Sequence, residues 1–140
     1  MYQDVLIPTD GSDGTHQAIK HGIALALDLE ATVHALSVVE SAGAIARDQL
    51  RVDPETEAET ALESVEEAAE GADLEVTSTT REGVPAEEIL AYASENDVDM
   101  IVMATHGRTG LDHVLMGSVA EQVVRNASVP VVTVRPTDGE

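Results

Sequence analysis

Asp99-Met-Ile-Val-Met-Ala-Thr-His-Gly-Arg-Thr-Gly-Leu-Asp-His-Val-Leu-Met-Gly-Ser118 decides how the chain is read. An apolar run, Met100 to Ala104, stops at a loop that holds Gly107 and Gly110. Gly117 and Ser118 then open an amphipathic segment, with a helix expected over 118–126. A strand, a glycine loop and a helix start together offer unpaired backbone N–H groups to a phosphate. The stretch therefore points to a small nucleotide-binding protein.

Working outward, strands and helices alternate. Residues 4–8 (Asp-Val-Leu-Ile-Pro) read as a short buried strand ending in Thr9-Asp10-Gly11-Ser12, where Asp10 or Ser12 supplies a cap for the next helix. That helix places Ile19, Ile23, Ala26 and Leu27 on one face. Residues 32–39 are rich in Val and Leu, as in a strand covered on both sides. From Glu40 to Asp53 the pattern weakens into a loop with one helical turn. Asp53-Pro54 starts a helix striped by Ala58, Ala61, Leu62, Val65, Ala68 and Ala69 and closed by Gly71. Strands follow at 73–80 (polar, as on a sheet edge), 99–104 and 130–135. A helix from Pro85 to Asn96 turns Ile89, Leu90 and Ala93 inward. The order βαβαβαβαβ predicts a parallel sheet with helices on both faces, in one domain over 1–140. Ligands of such folds sit beyond the carboxyl ends of the strands. Pro8 to Ser12 and Thr105 to Ser118 are the two loops whose content qualifies.

Composition narrows the partners. Apolar residues make up 43% of the chain, enough for a core, yet Phe and Trp are absent and Tyr2 and Tyr92 are the only aromatics. No run approaches the ~18 apolar residues of a membrane span. No basic leader precedes the first strand, so a cytoplasmic location is expected. Without cysteine there are no disulfides, thiolates or cysteine-bound metals. The net charge is −20, with Lys20 the single lysine against 27 acids. Such a surface repels nucleic acid and anionic lipid, and neither is an expected partner. It also suits a salt-rich cytoplasm, because at ~1 M salt the Debye length falls to roughly 3 Å and self-repulsion is screened.

Individual residues carry two readings each. Ser118, three before Glu121, makes a capping box; the same free amides and helix dipole, with Gly117 giving room, also seat a phosphate. Gly107 and Gly110 are turn glycines or part of that seat. Arg108 is a solvated arginine or neutralises phosphate, and a Mg2+ carried by the nucleotide would serve the same purpose. His106 and His113 stand seven residues apart, which is not metal-ligand spacing on a helix, and no metal site is expected. His16, His21 and His34 read as structural. There is no Gly-x-Ser-x-Gly elbow and no Walker lysine, so no strong catalysis is expected. The last strand, Val129 to Val134, is an apolar edge that invites pairing with a second copy, unless the acidic tail Asp138 to Glu140 guards it.

On these residues the chain resembles the universal stress proteins, whose motif is Gly, two residues, Gly, nine residues, Gly, then Ser or Thr. Here it aligns as Ala104-Thr-His-Gly107, Arg108 through Met116, and Gly117-Ser118. Val5-Leu-Ile-Pro-Thr-Asp-Gly-Ser12, Gly83-Val-Pro-Ala-Glu-Glu-Ile-Leu90 and Val129-Pro-Val-Val-Thr-Val-Arg135 also look like that family, so the likeness runs the length of the chain. One departure is Ala104 in place of the first motif glycine; its methyl is expected to crowd the ligand and weaken binding. The fold expected is α/β: a doubly wound five-stranded parallel sheet of strand order 3-2-1-4-5. The resemblance implies binding of ATP or AMP, with Gly107, Gly117 and Ser118 holding the phosphates and Gly110 and Val119 also among the nucleotide-binding residues. Asp10 would meet the ribose or adenine. Pro8, Thr9 and Val38 would line the base pocket, with Met103, Ala104 and His106 beside the loop. It also implies a homodimer through the final strands.

Two functions follow. One is a regulatory, nucleotide-binding stress-response dimer with slow ATP hydrolysis at most. The other is a dimeric interaction module of the same fold that binds no nucleotide, a reading Ala104 favours. A phosphoacceptor receiver domain is a poor third. It needs an aspartate ending the third strand and a lysine ending the fifth, where Thr79-Thr80-Arg81 and Arg135-Pro136 stand.

Overall fold

The computed structural model describes residues 2–11, 13–40, 54–105 and 117–135. Among them the chain runs β1 (Asp4–Pro8), α1 (Asp13–Leu29), β2 (Thr32–Val39), α2 (Pro54–Gly71), β3 (Val76–Glu82), α3 (Pro85–Glu95), β4 (Met100–Ala104), α4 (Ser118–Asn126) and β5 (Val131–Val134). The strands form one sheet of order β3-β2-β1-β4-β5, and every neighbouring pair is parallel. This is the doubly wound arrangement the alternation predicts.

Period-two alternation along each strand sends side chains to opposite faces. Val5, Ile7, Val33, Ala35, Val102 and Ala104 meet α1 and α2 in one core cluster. Leu6, Leu36, Ile101 and Met103 meet α3 and α4 in the other. Both faces of β1, β2 and β4 are covered, which is why those strands read as nearly continuous apolar runs. At the centre of α1, Gly22 lets the helix lie on the sheet: a Cβ there would stand 2.6 Å from Ile7 Cδ1.

Several local expectations are corrected. Leu27 is half exposed, because the inner arc of α1 is set by Ala18, Ile19, Ile23 and Ala26. Gly71 is the last residue of α2 and does not take the left-handed cap. That conformation falls to Asp73 (φ 61), after which Leu74 N–H returns to Ala69 C=O at 2.9 Å. This turn consumes residues 72–74, so β3 starts at Val76 and runs on to Glu82. β4 starts one residue later, at Met100, and β5 draws in by a residue at each end. Asp10 lies three residues before α1; Ser12, the other candidate cap, lies outside the described residues, as does the helical turn read between Glu40 and Asp53.

Candidate functional site

Strand order reverses between β1 and β4. The chain leaving β1 turns to α1 on one face, and the chain leaving β4 reaches α4 on the other. A cleft opens between two such diverging connections, at the carboxyl ends of the central strands.

On the β1 side the turn is built from hydroxyl and amide groups. Thr9 is buried and donates its N–H to Leu36 C=O at 2.9 Å, which ties the end of β1 to β2. Its hydroxyl accepts Gly11 N–H at 3.2 Å and donates to the Thr15 hydroxyl at 3.3 Å. Gly11 sits at φ 80, a left-handed conformation that glycine adopts without steric penalty. Asp10 stands between these pinned neighbours, partly exposed at the rim.

The β2 side of this edge follows from ladder alternation. In a parallel pair, successive residues of a strand turn their N–H and C=O to opposite neighbours. Val33 and Val39 bond toward β3, through Glu75 C=O and Gly83 N–H. Thr32 and Leu36 bond toward β1, and the last rung there is Thr9 N–H to Leu36 C=O. Val38, two residues on, therefore points its amide and carbonyl toward the β1 side just beyond that rung. The side chains of Val38 and Val119 pack on the same core cluster as Met103.

On the β4 side, Thr105 is buried and joins the end of β4 to β5 and to the start of α4. Its N–H donates to Val134 C=O at 3.0 Å, and its carbonyl accepts Gly117 N–H at 2.6 Å. Gly117 is the N-cap of α4 and Ser118 its first helical residue. The capping box is thus not formed: no side chain caps α4, and the first intrahelical bond runs from Glu121 N–H to Gly117 C=O. A serine one residue inside the helix cannot reach back to its own turn as a cap does. The amides of Ser118, Val119 and Ala120 precede that first bond and point out of the helix end. Ser118 is exposed. The Gly117 amide, by contrast, is used inside the protein.

The structure brings Pro8, Thr9, Asp10, Val38, Met103, Gly117, Ser118 and Val119 to this one edge of the sheet. His106, Gly107, Arg108 and Gly110, with His113, lie outside the described residues. Ala104 is there by backbone only. Its methyl belongs to the core cluster with Val5, Ile7 and Val102, because alternation along β4 turns residues 102 and 104 toward α1. The sequence reading, which set that methyl against the ligand, is corrected on this point. Sequence reasoning passed over Thr15 and Thr105; nothing in their type or spacing marks them, and only their burial and partners do.

Elsewhere, a depression of about 180 Å3 lined by Leu90, Ala93, Ile101, Asn126 and Val129 lies at the opposite end of β4, and none of the converging residues borders it. Among the described residues no group of three His, Cys, Asp or Glu side chains is placed to hold a metal. No described helix is long and apolar enough to cross a membrane. Arg81 on β3 is engaged elsewhere. It bonds Glu95 at 2.6 Å, stands 3.5 Å from Glu88 and lies over the Tyr92 ring at 5.2 Å. The Glu95 hydrogen bond, with the charges of both glutamates, raises its pKa above the ordinary arginine value.

A five-stranded parallel sheet of order β3-β2-β1-β4-β5 with helices on both faces is the doubly wound α/β fold. The sequence profile described as the universal stress protein family matches residues 1–135, and the chain belongs to that family. It is 40% identical over 141 residues to universal stress protein MJ0531 of Methanocaldococcus jannaschii, covering 96% of this chain and 83% of that one. Among solved structures, hypothetical protein MJ0577 aligns with a TM-score of 0.86 at 30% identity, over 99% of each chain. A universal stress protein in complex with cAMP has a TM-score of 0.77 at 22% identity, over 97% of this chain and 99% of that one. One from Archaeoglobus fulgidus in complex with dAMP has 0.74 at 19%, over 94% and 97%.

Proposed function

We propose that this chain binds an adenine mononucleotide, ATP or AMP, across the carboxyl ends of β1 and β4, and acts as a regulatory stress-response protein rather than a strong catalyst. The observation that carries the reading is the meeting of the Thr9–Gly11 turn, the outward-facing Val38 peptide and the amino end of α4 at one switch point. Two proteins of this fold bind cAMP and dAMP, which share adenine and a 5′-linked phosphate. The donor set here suits those groups. The Val38 amide and carbonyl offer one donor and one acceptor to a purine edge, the Asp10 carboxylate accepts from ribose or base, and the α4 amides with the Ser118 hydroxyl favour an anion. Gly107, Gly110 and Arg108, with His106 beside them, would complete the phosphate side. Mg2+ would enter on the nucleotide's own phosphates.

The test is thermal. In concentrated KCl, AMP or Mg-ATP at a hundredfold excess over Kd is expected to stabilise the fold by roughly 2.7 kcal/mol, a rise of several degrees in Tm. Asp10→Ala combined with Ser118→Ala should abolish most of that rise. An unshifted wild type would leave the interaction module without nucleotide as the better reading.

The remaining parts of the proposal concern setting and assembly. β5 is an edge strand whose Val131 and Val132 are partly buried, and we place the homodimer contact along it. Val132→Glu should move the protein to monomer size in sizing chromatography, and an unchanged elution volume would refute that contact. The charge of −20 supports a salt-rich cytoplasm as the working environment.

A further inference from the structure

We propose that Thr15 is a positioning residue for the nucleoside half of the ligand: its hydroxyl, on the first turns of α1, holds the Thr9 hydroxyl and so fixes the turn that presents Asp10. The inference rests on the nucleotide reading above. Thr9 and Thr15 are both 5% exposed, and their hydroxyl oxygens are 3.3 Å apart. The same Thr9 oxygen accepts Gly11 N–H at 3.2 Å, while Thr9 N–H is spent on Leu36. Gly11 also lies close to α2, since a Cβ on it would stand 3.3 Å from Ala61 Cβ. Thr9 is therefore tied to β2 and α1 at once, and Gly11 is tied to Thr9. Asp10 lies between these two residues, and among the described hydrogen bonds of the turn the link to α1 is carried by Thr15. Loss of this link frees the Thr9 hydroxyl to rotate, and with it the acceptor that closes the turn on Gly11. A buried hydrogen bond of this kind shifts binding by roughly five- to tenfold when its loss is felt at the ligand.

Calorimetric titration of the intact protein with adenosine, AMP and pyrophosphate tests it, using wild type, Thr15→Val and Thr15→Ser. Thr15→Val keeps the volume and removes the hydroxyl; it should weaken adenosine and AMP by the same factor and leave pyrophosphate unchanged. Thr15→Ser should restore both nucleoside ligands. Equal loss for pyrophosphate would mean general loosening, and unchanged adenosine binding in Thr15→Val would mean no positioning role; either overturns the inference while the nucleotide reading stands. A wild type that binds neither adenosine nor AMP would remove both. Should Thr15→Val not fold, amide exchange at Gly11 in Thr15→Ser and Thr15→Ala decides: faster exchange in the alanine variant alone supports the link, and equal rates overturn it.

Discussion

The two faces of the sheet hold their helices by different means. Against α1 and α2 the core is aliphatic and small: Ala18, Ala26, Ala31, Ala35, Ala69 and Ala104 fit between Val5, Ile7, Val33, Leu62, Val65 and Val102. Close approach makes up for the absence of aromatics there, with Gly22 laid directly on Ile7. Against α3 and α4 the core includes Tyr92, and a polar chain runs out of it. Tyr92 Oη lies 2.7 Å from His34 Nδ1, and His34 Nε2 lies 2.9 Å from Asp4. Arg81 closes the ring from above, fixed by Glu95 and Glu88. Within the two core clusters, one face depends on volume; the other adds polar partners that must be satisfied. The face with partners is also the one carrying Val38, Met103 and Val119 to the cleft.

Removing volume from the aliphatic face should do the most harm. Ile7→Ala is expected to cost about 2–5 kcal/mol in urea melts, through lost burial and the cavity left behind. Gly22→Ala tests close approach itself: the added methyl must displace fully buried Ile7, at about 1–3 kcal/mol. If Gly22→Ala were neutral or stabilising, the contact at the centre of α1 would not be tight and the comparison would fail on that side.

On the other face, Tyr92→Phe keeps the ring and strips the hydroxyl from His34. A loss of about 1–2 kcal/mol is expected, and a double-mutant cycle with His34→Ala should show coupling of at least ~0.5 kcal/mol. Additive losses would reduce the polar chain to ordinary packing. The smallest effect belongs to Arg81→Met. Its partners are partly exposed, so the loss should stay below about 1 kcal/mol and shrink as KCl is raised. A larger, salt-independent loss would point to the stack on Tyr92 instead of the ion pairs.

Much of this was legible in the residues alone. Alternating apolar runs and amphipathic stretches give the element order, since period two and period 3.6 are local properties. Pro54 and Pro85 mark helix starts for the same reason. The motif from Thr105 to Ser118 locates the candidate site because strand, glycine and helix start are consecutive in sequence. Its details were not legible. Whether Gly117 or Ser118 caps α4 turns on a hydrogen bond to Thr105, twelve residues back. Asp73 taking the left-handed turn in place of Gly71 turns on how α2 meets β3.

By itself, then, the sequence determined which segments are strands and helices, and that the sheet is parallel and doubly wound. Tertiary structure alone decided which way each side chain on a strand looks. Ala104 enters the core instead of the cleft because β4 meets α1 on that face, and a period of two fixes alternation without fixing its sign. It also assembled His34, Tyr92, Asp4 and Arg81, and Thr9 with Thr15, since hydrogen bonds between distant positions exist only once burial has brought them within about 3 Å.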